Sequence, residues 1–246
     1  MRLVFFILLA CLGVSAQTCS NTGLGNGVVC VQNVNGTNSS SKPVSASFGA
    51  TPTVGNKVIL VYRISGTVSS PSCSDNQGNT YTINLQTSTV GSRTIMTVMA
   101  PITTSSGTFT VSCTQTGAIT DHAFAAVEVS GVTSVDSGIK NSANGSTTGS
   151  HSSGTATPST ATSLLVGTAY MPCTSCTMTA GTSFTKVAQT ASTSNTLMMQ
   201  MRTVTTSAAY SSAFTDSQGF GTWISGIQAY IIPAASGSLR RRGTWF

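Results

Sequence analysis

Lys57-Val-Ile-Leu-Val-Tyr-Arg-Ile64 is a nearly unbroken β-branched and apolar run. Such a run, bounded by Gly55-Asn56 before it and Ser65-Gly66 after it, is the pattern of a strand buried on both faces. Runs of the same kind lie to either side of it. Thr94-Ile-Met-Thr-Val-Met99, Thr108-Phe-Thr-Val-Ser-Cys113 and Ala123-Phe-Ala-Ala-Val-Glu-Val129 follow in the first half. Ser163 to Tyr170, Phe184 to Ala188, Leu197 to Val204 and Trp223 to Ile232 supply the second. Clusters of Ser, Asn and Gly separate them, and no segment has a convincing 3.6-residue apolar period. Thr and Val abound where Leu, Glu and Lys would mark helices. The pattern predicts an all-β chain, a single antiparallel β-sandwich of jelly-roll type with ten or more strands.

The N-terminus has the form of a secretory signal. Arg2 gives the positive charge, Leu3 to Leu12 the apolar run, and Val14-Ser15-Ala16 the small-residue cleavage pattern. The run falls short of the ~20 residues of a permanent membrane anchor. Cleavage after Ala16 leaves Gln17 first; lipid attachment at Cys11 is the competing reading. No later segment is apolar enough to span a membrane. Residues 1–16 are thus expected to be a signal peptide, 17–48 disulfide-bearing strands, 49–233 the sandwich and 234–246 a basic tail. Asn141 to Thr162 is low-complexity, and is expected to be a long loop or edge strand within that one domain.

Six cysteines remain after the signal, and an even number in an exported chain points to disulfides. Sequence leaves many pairings open; pairing neighbours in the chain gives Cys19–Cys30, Cys73–Cys113 and Cys173–Cys176. Cys173-Thr-Ser-Cys176 has redox-type spacing, but no helix start follows it, which favours a small oxidised loop. Zinc would need two further ligands.

Charge narrows the function classes. The chain has 11 Lys and Arg against 5 acids, a formal +6. Setting aside Arg2 and Arg240-Arg241-Arg242 leaves seven cations against the five acids, without the distributed basic stripe of a nucleic-acid binder. One glutamate, four aspartates and two histidines are the whole acid–base inventory, which argues against most enzyme chemistries.

Six stretches together carry a family resemblance. They are Thr53-Val-Gly-Asn-Lys-Val-Ile-Leu60, Asp75-Asn-Gln-Gly-Asn-Thr-Tyr-Thr82, Ala125-Ala-Val-Glu-Val-Ser-Gly-Val132, Ser163-Leu-Leu-Val-Gly167, Thr179-Ala-Gly-Thr-Ser-Phe-Thr185 and the closing Trp223-to-Tyr230 strand. In order and spacing, from about Gly49 to Pro233, the chain resembles secreted bacterial Ser/Thr/Gly-rich β-sandwich proteins. The resemblance implies an extracellular accessory or surface module and no particular activity. Gln200 and Met201 stand where such relatives tend to have acids before the residue corresponding to Arg202, and Val129 stands where an aromatic is common.

Several residues are candidates for chemistry. Glu128 lies on a mostly apolar strand, so its carboxylate must be exposed or paired; it reads as a general acid or base, or as the partner of Arg202 or Arg63. His122, beside Asp121 at a strand entrance, is a second catalytic candidate. His151 falls in the low-complexity stretch. Asp75 and Asp216 each open a D-x-Q-G stretch. Such a stretch suits a β-turn with Gly at positive φ, and less well a calcium loop, which needs more than one acid. The two stretches echo each other, but their flanks do not, so sequence gives no case for a duplication. Tyr81 and Tyr210, near turns, are the aromatics that could face a glycan, whereas Trp223, Tyr62, Tyr170 and Tyr230 fall in core strands. Three N-glycosylation patterns, at Asn35, Asn38 and Asn144, are no more than chance supplies in so Ser- and Thr-rich a chain.

The sequence therefore points to a secreted non-catalytic module for adhesion, matrix or scaffold use, with no cofactor. Its partner would be an extracellular glycan or a surface protein, and the oligomeric state stays open. A carbohydrate-binding module is the first alternative. A polysaccharide-active enzyme using Glu128 or His122 is the second.

Overall fold

The computed structural model describes residues 19–234 except 39, 89–91, 147, 174–175, 192–194 and 220. The signal-like segment with Cys11, the arginine run and Trp245 lie outside the described residues. Every regular element described is a strand. The first half holds β1 (Ser20–Gly25), β2 (Val28–Asn38), β3 (Val44–Ser47), β4 (Lys57–Gly66), β5 (Ser72–Asp75), β6 (Thr82–Ser88), β7 (Arg93–Pro101), β8 (Thr110–Thr114) and β9 (Ile119–Ser130). The second holds β10 (Ser134–Gly145), β11 (Ser150–Ser152), β12 (Ser163–Met171), β13 (Met178–Ala180), β14 (Thr185–Ala191), β15 (Thr196–Val204), β16 (Ala213–Asp216) and β17 (Trp223–Ile231). All paired strands are antiparallel.

The strands form four sheets, and the order repeats. One large sheet runs β1-β2-β9-β4-β7-β6 and the other β10-β17-β12-β15-β14; the small sheets run β3-β8-β5 and β11-β16-β13. Adding eight to each label from β2 to β9 converts the first half into the second. Local detail repeats as well. β6 and β14 each carry a register shift at the same place, between Ile83 and Leu85 and between Lys186 and Ala188. The preceding segments, Gly78-Asn-Thr-Tyr-Thr82 and Gly181-Thr-Ser-Phe-Thr185, then align. The repeat is thus present in topology, although the differing flanks of the two D-x-Q-G stretches gave no case for it. Asp75 ends β5 and Asp216 ends β16, which are not equivalent strands; the counterpart of β16 is β8.

Burial follows from this arrangement. Ile59, Val61, Ala125 and Val127 of the first large sheet share an apolar cluster with Val166, Tyr170, Met199 and Ile224 of the second. The opposite face of β4, with Val58, Leu60, Tyr62 and Ile64, packs with Phe109 and Val111 around the small sheet β3-β8-β5. β4 is therefore covered on both sides, which is why it lacks the apolar–polar alternation of a half-exposed strand. The second half is covered alike, Met171 and Met198 meeting Met178 and Phe214. The halves approach closely at Gly226. A Cβ on Gly226 would come 2.8 Å from Leu85 Cδ2.

Three disulfides join Cys19–Cys30, Cys73–Cys113 and Cys173–Cys176. Cys73 and Cys113 are direct partners in the β5–β8 pairing. The Asn141–Thr162 stretch supplies the end of β10, an edge strand, and β11.

Candidate functional site

Alternation along β9 sends Asp121, Ala123, Ala125 and Val127 toward the core shared by the two large sheets, and His122, Phe124, Ala126 and Glu128 toward the other face. The two carboxylates sit near opposite ends of this strand. At ~3.3 Å per residue their backbones are more than 20 Å apart, beyond any two-carboxylate hydrolytic geometry.

Glu128 is buried, and its carboxylate is filled by neutral donors. Oε1 accepts from the Thr53 backbone N–H at 2.8 Å and from Asn56 Nδ2 at 2.6 Å, while Oε2 accepts from Gln32 Nε2 at 2.8 Å. The expected pairing with Arg202 or Arg63 does not form. Arg202 lies over the ring of Tyr210, its guanidinium carbon 5.1 Å from the centroid, and Arg63 pairs with Asp121. Glu128 pins the Thr53–Asn56 turn to β9 and β2.

His122 is buried between Tyr62 Oη, 2.9 Å from Nδ1, and the Ser41 carbonyl, 2.6 Å from Nε2. A carbonyl only accepts, so Nε2 carries the proton and Nδ1 accepts from the Tyr62 hydroxyl. Burial, aided by the charges of Arg63 and Lys42, holds the imidazole pKa below its usual value. The unfolded chain therefore binds a proton at ~6.5 while the folded one does not, so His122 favours folding at neutral pH and opposes it increasingly as pH falls below ~6.5. Replacing His122 by Gln is expected to flatten the loss of thermal stability between pH 7 and pH 5. Parallel melting curves for the two proteins check this, and an unchanged slope would assign the acid sensitivity elsewhere.

The turn chemistry expected of the D-x-Q-G stretches is present. Asp75 Oδ1 accepts from the backbone N–H groups of Gln77 (2.8 Å) and Asn79 (3.2 Å), and Gly78 has φ 82°. Asp216 Oδ1 accepts from the N–H groups of Gln218 and Gly219, and Gly219 has φ 67°. Among the described residues no group of three or more His, Cys, Asp or Glu could hold a metal. His151 belongs to a strand rather than a loop: it lies on β11, buried, with Nε2 3.2 Å from Asp216 Oδ2 and its ring 5.1 Å from that of Trp223. Asp136 accepts from Ser159 N and Oγ, both at 2.7 Å.

Tyr81 and Tyr210 are half-buried rather than presented to solvent. Tyr81 packs beside the first-half core, where burial and the neighbouring Asp75 raise its phenol pKa. Tyr210 bonds Thr206 Oγ1 at 2.7 Å beneath Arg202. No described aromatic is exposed; Val54 is the exposed large hydrophobic residue. A flat stacking platform for sugars is absent from the described surface.

A different constellation stands at the Asp121 end. Arg63, on the core-facing side of β4, is fully buried. Its Nη2 stands 2.7 Å from Asp121 Oδ2, an ion pair without hydrogen-bond alignment, and Nη1 donates to Ser65 Oγ at 2.7 Å. Asn195, just before β15, donates to Asp121 Oδ2 and accepts from the Tyr170 hydroxyl at 2.6 Å. The guanidinium carbons of Arg63 and Arg93 lie 5.5 and 5.9 Å from the Tyr170 ring centre. Burial raises the Tyr170 phenol pKa against the pull of both arginines, keeping it a donor. Above this network opens a cavity of about 470 Å³, lined by Ser65, Thr67, Arg93, Thr120, Asp121 and Asn195 among others. Sequence reasoning named Arg63 only as a partner for Glu128, and overlooked Arg93 and Asn195. The signal was a guanidinium at a core-facing position of a strand buried on both faces, which requires a buried anion.

Compared with known proteins, the chain matches no family model, no curated protein and no solved structure.

Proposed function

We propose that the protein is an exported, non-catalytic extracellular module built from two jelly-roll-like sandwiches that share the core between their large sheets. The strand order supports the jelly-roll reading. In each half eight strands divide into a larger sheet of order first-eighth-third-sixth-fifth and a smaller one of order second-seventh-fourth, as two interlocked Greek keys do. Three disulfides and the signal-like N-terminus support export.

One observation carries the non-catalytic reading: all five carboxylates and both imidazoles are engaged in holding turns, strands or one another. A general acid or base must have a lone pair or proton facing substrate. Here Glu128, Asp75, Asp136 and Asp216 accept from backbone N–H groups, side-chain amides, a hydroxyl or His151. His122 lies between a phenol and a carbonyl, and Asp121, which borders the cavity, is tied to Arg63 and Asn195. The test incubates the chain from Gln17 to Phe246 with neutral and acidic polysaccharides, following reducing ends and ultraviolet-absorbing unsaturated ends. The expected result is no release above a heat-inactivated control. Sustained turnover of any polymer in the panel would end this reading.

A further inference from the structure

We infer that the cavity beside Arg93 binds an acidic sugar, with Arg93 taking the carboxylate of a uronate residue and the surrounding hydroxyls taking its ring oxygens. The inference rests on the non-catalytic reading and names the ligand class of such a module. Charge is the first argument. Two guanidiniums meet one carboxylate at this end, and Asp121 is already shared between Arg63 and Asn195. Arg93 has no carboxylate within ion-pair distance among the described residues, and Arg63 Nε, fully buried, has no acceptor there. Lys42 stands at the same end, where its charge and that of Arg63 bear on His122. The local balance favours an anion and repels an ammonium, which disfavours amino acids and amines as occupants.

The lining gives the second argument. Hydroxyls from Ser65, Thr67, Ser92 and Thr120 and the Asn195 amide surround the opening, and such groups match the alternating donors and acceptors of a sugar ring. The aromatic face is withheld: Tyr170 is buried beneath both guanidiniums, so recognition by stacking is closed. A ligand with one planar anionic group and several hydroxyls satisfies both conditions, because the flat guanidinium fork matches a carboxylate in two-point contact. The volume of about 470 Å³ falls in the usual small-ligand range of ~300–1,000 Å³.

Calorimetric titration of the Gln17–Phe246 chain tests this with short oligomers of galacturonate, glucuronate and mannuronate. Their methyl esters serve as neutral matches and sulfated neutral oligosaccharides as the rival anion. At least one uronate oligomer is expected to bind, its ester not. Arg93→Ala is expected to weaken binding roughly 10- to 100-fold, the loss of a charge-assisted pair, and Arg93→Lys to fall between. Arg202→Ala and the tail variant R240A/R241A/R242A should bind as the parent does, separating the cavity from general attraction to cations. Unfolding midpoints confirm that each variant is folded. Binding unchanged in Arg93→Ala, equal binding of the esters, binding of sulfated ligands alone, or no binding at all would each overturn the assignment. Unsaturated product formed alongside Arg93-dependent binding would overturn the non-catalytic reading and uphold the site.

Discussion

Replacing Asp121 by alanine is expected to lower the unfolding free energy by about 3–5 kcal/mol, the cost of leaving a buried charge without its partner. Arg63 has no exposed side-chain surface, so losing Asp121 strands a guanidinium that the fold keeps out of water. Asn195 loses its acceptor at the same time and Tyr170 loses the amide that Asp121 orients. For a chain of this size such a loss lowers the thermal midpoint by roughly 10 °C. Removing both charges should be far milder. Arg63→Met combined with Asp121→Val leaves an apolar pair between two large sheets, and buried ion pairs replaced in this way often cost little. Denaturant titration of the single and double variants gives the coupling directly. A double variant as unstable as Asp121→Ala would mean that packing around Tyr170, rather than the ion pair, holds this end together.

The part of the fold legible in the sequence was the part fixed by local pattern. β4, β7, β9, β12, β15 and β17 were readable because a strand covered on both faces leaves an unbroken apolar run, as in Lys57 to Ile64. The disulfides were readable because each joins cysteines that follow one another in the chain: Cys19 and Cys30 at the β1–β2 hairpin, Cys73 and Cys113 on paired strands, and Cys173 and Cys176 within one loop. The repeat was not legible. Equivalent strands keep burial and register while exchanging residue types, so Arg63 in β4 answers to Tyr170 in β12 through their shared alignment with β7 and β15. The one visible echo, D-x-Q-G, marks the same turn chemistry at the ends of β5 and β16, strands that do not correspond. The candidate site escaped for a related reason. Arg63, Arg93, Asp121 and Asn195 are brought together by sheet order β9-β4-β7 and by packing of one half on the other, and no spacing in the chain encodes either. Glu128, conspicuous as the lone glutamate, drew attention for its rarity, yet it is an anchor for a turn.

That anchoring role makes a second strong prediction. Glu128→Ala is expected to cost about 4 kcal/mol, because a buried carboxylate loses three hydrogen bonds, from the Thr53 N–H and the half-buried amides of Asn56 and Gln32, and bonds to a charged group contribute ~1.5–3 kcal/mol each before water compensates the more exposed donors. Glu128→Gln should cost about half as much, for a specific reason. The amide oxygen can still accept from Thr53 N–H and Asn56 Nδ2, but its NH₂ then faces the NH₂ of Gln32. Gln32 cannot flip to relieve the clash, since its Oε1 accepts from Ala50 N at 3.1 Å and its Nε2 donates to Ala50 O at 3.0 Å. The exchange variant, Glu128→Gln with Gln32→Glu, restores an acceptor opposite the new donor while giving up the bond to Ala50 O. It should therefore regain part of the loss. Urea unfolding of the four proteins reads these differences. A glutamate kept for catalysis would behave in the opposite sense, because buried catalytic charges are commonly held at the expense of stability and their neutralisation commonly raises it. Stability unchanged or increased in Glu128→Gln would therefore return Glu128 to the list of catalytic candidates, whereas a loss repaired by the exchange identifies it as the clasp that fixes the Thr53–Asn56 turn against β9.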